Sequence, residues 1–183
     1  MKIYTLIKRL AGSLFGILLL MGCSSTQSLQ EYYVDNSENP NFLAVDVPAN
    51  ILNLDEASLD ETQQIALKSL RKLNILVFRK TDENAQAYEE ESAKVKEILK
   101  NSEFKDLMKL NTQYAKGVIK YSGEDDAIDE VVIFGDSKES GFGLIRVLGD
   151  DMNPAHFIQL MQAVQKADLE GEGFKELVGL LKG

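Results

Sequence analysis

The sequence predicts an α+β domain: a mainly antiparallel sheet of about five to six strands with helices packed on one face. Three observations carry that prediction. Two amphipathic helical stretches alternate with short β-rich runs in the first half of the chain. Four short apolar or alternating segments then follow between Leu107 and Leu148, split by loops rich in Gly, Asp and Ser, and a helix start stands at Asn153-Pro154. Helices interleaved early and strands grouped late fit an antiparallel sheet with segregated helices.

The elements follow in chain order. Phe42-Leu43-Ala44-Val45-Asp46-Val47 is β-rich, alternates in part and stops at Pro48, which reads as a first strand. Ser58-Leu59-Asp60-Glu61 has capping-box spacing, so a helix is expected with Ser58 as its cap. Ile65, Ala66, Leu70 and Leu73 give that helix an apolar face, and Asn74 marks its end. Ile75 to Phe78 is a short apolar run suited to a buried strand. From Glu83 to Lys100, Tyr88, Ser92, Val95 and Leu99 recur at helical spacing while Glu89, Glu90, Glu91, Lys94 and Lys96 take the other faces. Leu107–Leu110, Val118–Tyr121, Val131–Phe134 and Leu144–Leu148 read as four antiparallel strands. Asn153 and Pro154 suit an N-cap and first helical residue, and Phe157, Leu160, Met161 and Val164 form one stripe behind them. A last amphipathic segment carries Phe174, Leu177, Val178 and Leu181 beyond Gly171 and Gly173; it is read either as docking on its own domain or as offering a helix to a partner's groove.

The amino end has a different character. Lys2, Lys8 and Arg9 precede an apolar run from Leu10 to Met21, which leads through Gly22 to Cys23, the single cysteine. A basic start, an apolar stretch and a small residue before a cut describe an export signal. The stretch is too short to span a bilayer, which takes about 20 residues. Leu20-Met21-Gly22-Cys23 has the form of a lipobox, and a thiolate is the nucleophile that an acyl anchor requires. Residues 1–22 are therefore expected to be a lipoprotein signal, 23–40 a lipidated cysteine and tether, and 41–183 a single domain. Ser24 rather than an acidic residue follows Cys23, which points to the outer membrane.

Removing the signal takes the formal charge from −9 to −12, because the signal carries three basic and no acidic residues. So acidic a chain lacks the clustered Lys and Arg that phosphate neutralisation requires, so no nucleic-acid partner is expected. Anionic lipid surfaces should repel it, which leaves acyl chains on Cys23 as the membrane contact. With Cys23 modified, no thiol remains for disulfide or cysteine chemistry.

Catalytic motifs are sparse. His156 is the only histidine, placed in the first turn of the Asn153 helix, and is read as structural or at the surface. Glu124, Asp125, Asp126, Asp129 and Glu130, with Asp150 and Asp151, supply the oxygens that calcium uses, but the first group lies at a hairpin where charges protect turns and edges. Asp35-Asn36-Ser37-Glu38-Asn39-Pro40 starts like a calcium loop but has Pro40 at the sixth position and Asp46 at the twelfth. Gly135-Asp136 and Gly141-Phe142-Gly143 are read as hairpin turn chemistry; neither dinucleotide nor P-loop spacing occurs. No metal and no cofactor is expected.

Phe42-Leu43-Ala44-Val45-Asp46-Val47, Leu70-Arg71-Lys72-Leu73-Asn74-Ile75-Leu76-Val77-Phe78, Glu130-Val131-Val132-Ile133-Phe134 and Gly143-Leu144-Ile145-Arg146-Val147-Leu148-Gly149, in that order behind a lipobox, resemble the bacterial lipoproteins grouped as domain of unknown function 4252. The likeness covers most of residues 31–167 and implies an envelope lipoprotein with an α+β domain. It brings no catalytic residues. The expectation is a non-enzymatic envelope lipoprotein that binds a protein partner, with Phe174, Leu177, Val178 and Leu181 as possible contacts. The alternatives are a carrier of a small apolar ligand, which needs an enclosed cavity of about 300 Å³ or more, and a carboxylate-dependent hydrolase.

Overall fold

The computed structural model describes residues 27–52, 59–111 and 116–166. Six antiparallel strands form one sheet in the order β1-β2-β6-β5-β4-β3. They are β1 (Phe42–Pro48), β2 (Leu70–Arg79), β3 (Lys105–Asn111), β4 (Lys116–Gly123), β5 (Ile128–Ser137) and β6 (Gly141–Met152). Among the described residues four α-helices accompany them: α1 (Leu29–Asn36), α2 (Glu61–Ser69), α3 (Ala85–Ile98) and α4 (Pro154–Lys166). β3 to β6 run as a meander, and β6 then docks beside β2, so the last strand of the second half closes onto the first. No helix among the described residues is long and apolar enough to cross a membrane.

The α+β class and the six-stranded antiparallel sheet agree with the sequence. The placement of the helices does not: they cover both faces. Successive strand residues point to opposite sides, and the two cores divide accordingly. Leu76, Phe78, Val132, Phe134, Phe142 and Leu144 pack with Leu29, Tyr32 and Tyr33 of α1 and with Tyr88, Val95 and Ile98 of α3. Ile119, Val131 and Val147, from the other side, pack with Phe157 of α4, and α2 lies alongside α4. A sheet with apolar residues on both faces needs cover on both, and strands whose apolar residues run consecutively, as Ile75-Leu76-Val77-Phe78 does, announce it.

Two further differences are local. Residues 29–36, read as tether, form α1, and among the described residues order is established by Ser28. Ser28 caps this helix: its hydroxyl accepts from the Glu31 amide at 3.1 Å while the Glu31 carboxylate accepts from the Ser28 amide at 2.8 Å. Leu29, Tyr32, Tyr33 and Asn36 then fall on one buried side. The second difference concerns α2, which is capped by Asp60 with Gln63 rather than by Ser58 with Glu61, and ends at Ser69 rather than Asn74. Ser58 lies outside the described residues. Leu70 already has extended backbone, because Leu73 and its neighbours pair with β6, Leu73 opposite Val147; long-range pairing outweighs the helical spacing of Leu70 and Leu73.

At the β5–β6 turn the backbone dictates the residue. Gly141 has φ +110°, and a Cβ there would overlap the Phe78 carbonyl oxygen. Asn153 caps α4 as expected, its side-chain oxygen accepting from the amides of Ala155 at 3.0 Å and His156 at 3.2 Å. Phe157 and Leu160 are buried, and Phe157 and Met161 pack with the sheet residues Ile119, Val131 and Val147; the side chain of Val164 lies outside the described residues.

Candidate functional site

Alternation along β4 places Lys116, Val118 and Lys120 on the face that α3 covers, since Val118 belongs to the same core as Val95 and Phe134. The last turn of α3 and the turn that follows it bring Lys96, Leu99 and Lys100 together. The β5–β6 turn adds Ser137, Lys138, Glu139 and Ser140. These three pieces bound an open cavity of about 920 Å³ with Leu99, Val118 and Phe134 in its wall. Five lysines line it against three carboxylates, Asp106, Asp136 and Glu139; with Glu97, which pairs with Lys100, the local balance is one positive charge on a chain of formal charge −9.

Asp136 organises this cavity. Its carboxylate accepts from the Tyr88 hydroxyl at 2.6 Å, from the Ser92 hydroxyl at 2.9 Å and from the Lys96 ammonium. Burial pushes the Asp136 carboxyl up, yet the hydrogen bonds from Lys96, Tyr88 and Ser92 outweigh it and hold the group below the ordinary carboxylate value. Tyr88 moves the other way: burial first, then the bond to Asp136, keep its phenol protonated well beyond the ordinary range. Lys96 also lies 5.8 Å from the centre of the Phe134 ring.

The other lysines differ in how far they are engaged. Lys120 donates to Asp106 at 2.6 Å and Lys100 pairs with Glu97 at 2.7 Å. Lys116 and Lys138 have no side-chain hydrogen bond or ion pair among the described residues.

A second polar cluster sits under α1. Arg146 is 5 % exposed and donates to both oxygens of Glu130, at 2.6 and 3.3 Å, and to Gln30 of α1 at 2.5 Å. In the adjoining β1–β2 register, Asp46 accepts from the Tyr33 hydroxyl at 2.7 Å and from Asn74. The Tyr33 bond, ahead of the opposing effect of burial and with help from Asn74, holds the Asp46 carboxyl below its usual value. Both pairs are structural: each satisfies a polar group that α1 would otherwise bury without a partner.

The sequence-predicted sites fare unequally. Cys23, Phe174, Leu177, Val178 and Leu181 lie outside the described residues. His156 stands in the first turn of α4, its Nδ1 buried without a hydrogen-bond partner among the described residues. The acidic hairpin group disperses: Asp125 is exposed and accepts from Lys105 at 2.5 Å and Tyr121 at 3.1 Å, whereas Glu130 turns inward to Arg146. Asp150 pairs at the surface with Arg71 at 3.2 Å. Among the described residues no three His, Cys, Asp or Glu side chains are grouped to hold a metal. Sequence reasoning missed the lysine cavity and took Asp136 for turn chemistry. Lys116-x-Val118-x-Lys120 was the readable signal, since period-two spacing puts both charges on one strand face.

The family model described as "Domain of unknown function (DUF4252)" matches residues 32–160. The chain belongs to that family. The match begins within α1 and ends within α4, so the DUF4252 unit contains the whole sheet. No curated protein and no solved structure matches the chain.

Proposed function

We propose that this DUF4252 protein is a non-catalytic binding domain of the cell envelope, anchored through acyl chains on Cys23 to the periplasmic side of the outer membrane, where it contacts a protein partner. The observation that carries this reading is the position of α1. Helical order is capped at Ser28, five residues after Cys23, and five residues span at most about 18 Å at roughly 3.3–3.6 Å each. A lipid on Cys23 thus holds the folded domain against the membrane surface rather than on a long stalk. The carboxylates best placed for acid–base work are already occupied: Asp136 by Tyr88, Ser92 and Lys96, and Glu130 by Arg146. That supports binding rather than turnover.

The test is metabolic labelling with an alkyne fatty acid, followed by detergent phase partition and crosslinking in intact envelopes, for wild type and Cys23→Ala. Wild type should carry label, enter the detergent phase and crosslink to a protein absent from the Cys23→Ala sample. A wild-type protein with a free thiol that stays in the aqueous phase overturns the anchor; a labelled protein with the same crosslinks as Cys23→Ala overturns the membrane-apposed partner.

A further inference from the structure

We propose that the cavity between the end of α3, the start of β4 and the β5–β6 turn binds a phosphate-bearing ligand, contacted by Lys116 and Lys138 and flanked by Lys96, Lys100 and Lys120. The charge balance argues for an anion. Lys96 on the last turn of α3 pairs with Asp136, Lys100 just past the helix end pairs with Glu97, and Lys120 pairs with Asp106. Lys116 and Lys138 have no ion-pair partner among the described residues, and five ammoniums face four carboxylates, Asp106, Asp136, Glu139 and the Glu97 that pairs with Lys100. The sign of this patch opposes that of the chain as a whole, so general acidity does not explain it.

The shape argues for a compact group rather than an extended acidic peptide. A concavity of about 920 Å³ is of the size that small ligands occupy, roughly 300–1,000 Å³. The chemistry argues for phosphate. Lysine ammoniums are point charges with rotatable donors, without the planar fork that matches a carboxylate, and several converging on one group favour a multiply charged anion. Asp136 supplies the rigid base: with Tyr88, Ser92 and Lys96 tied to it, the Lys96 ammonium is held in place while Lys116 and Lys138 stay available. Leu99, Val118 and Phe134 give the wall an apolar part, so the ligand carries apolar surface beside its phosphate. Such chemistry comes from a phospholipid headgroup or from a soluble phosphorylated molecule.

The experiment is calorimetric titration of the full chain, in a non-ionic detergent at low ionic strength, with inorganic pyrophosphate. Saturable one-site binding is expected. The double substitution Lys116→Gln/Lys138→Gln should weaken it at least tenfold, whereas Lys68→Gln/Lys72→Gln, with the same loss of charge outside the cavity, should change it less than twofold. Equal urea midpoints for the two doubles establish that both are folded. Flotation of the Cys23→Ala chain with phosphatidylcholine vesicles, with and without phosphatidic acid, separates the sources: recovery that depends on phosphatidic acid and is competed by pyrophosphate assigns a lipid headgroup, and pyrophosphate binding without recovery assigns a soluble ligand. Either result supports the site independently of lipidation at Cys23. Equal weakening by the two doubles, no saturable binding, or binding of polyglutamate in place of pyrophosphate overturns it.

Discussion

The two faces of the sheet are built on different principles. The face under α1 and α3 is aromatic and closed: Phe78 stacks on Phe142 with ring centres 5.5 Å apart, Phe42 meets Phe78 edge-on at 5.0 Å, and Tyr32 and Tyr88 seal the margins. Its polar groups are latched, Tyr88 to Asp136, Tyr32 to Glu91 and Arg146 to Glu130. The opposite face is aliphatic and shallower. Val45, Ile75, Ile145, Ile133, Ile119 and Met108 form one row across all six strands, yet Val45, Ile133 and Ile145 are only half-buried and Met108 is 47 % exposed. The next row runs Leu43, Val77, Gly143, Gly135, Gly117, Leu110. Three glycines in the middle strands leave no side chains there to pack. Stability is therefore concentrated on the aromatic face, and the lysine cavity opens at that face's margin, where a rigid base holds the charges in position.

Paired substitutions on one strand test the contrast most severely. Phe78→Ala removes a fully buried ring and should cost about 3–5 kcal/mol in urea unfolding, whereas Val77→Ala, one residue along and facing the other way, should cost about 1 kcal/mol. Equal losses would mean that both faces carry the fold alike.

A smaller effect separates two glycines of the same row. A Cβ at Gly117 would overlap the Phe134 carbonyl oxygen, while one at Gly143 meets nothing within 4 Å. Gly117→Ala should lose about 3 kcal/mol because only a backbone shift between β4 and β5 relieves the overlap. Gly143→Ala should stay within about 0.5 kcal/mol of wild type. A stable Gly117→Ala protein with an unaltered melting temperature contradicts the close approach of β4 and β5.

The smallest effect is in acid. The Asp136 carboxyl is held below the ordinary value of about 3.9. Its contribution is therefore present above that pH and lost as pH falls through the lower folded value. The urea midpoint of wild type should drop more steeply below about pH 4 than that of Asp136→Asn. Parallel profiles would show that the latch adds nothing to the aromatic face.

Much of this architecture was legible along the chain. The strand segments, the amphipathic α3 and the Asn153 cap are local patterns, and each occurs where period and capping chemistry place it. α1 was legible too, in Ser28-x-x-Glu31 followed by Leu29, Tyr32, Tyr33 and Asn36 at helical spacing, but the polar residues before it disguised it as tether. The end of α2 was not, because Leu70 and Leu73 suit a helix stripe and a strand equally, and only the partner strand decides. The candidate site was least legible: Lys96, Lys116 and Lys138 are separated by some twenty residues each, and Asp136 looks like any turn aspartate until Tyr88 and Ser92 are brought over it.

By itself the sequence determined the α+β class, most element positions and the acidic charge, since these depend on residue type and short-range spacing. The tertiary structure decided which faces the helices cover, which strand lies beside β2, and that five lysines of an acidic chain share one cavity. Those outcomes depend on cross-strand register and on burial, which join residues far apart in the chain and leave no mark in local periodicity.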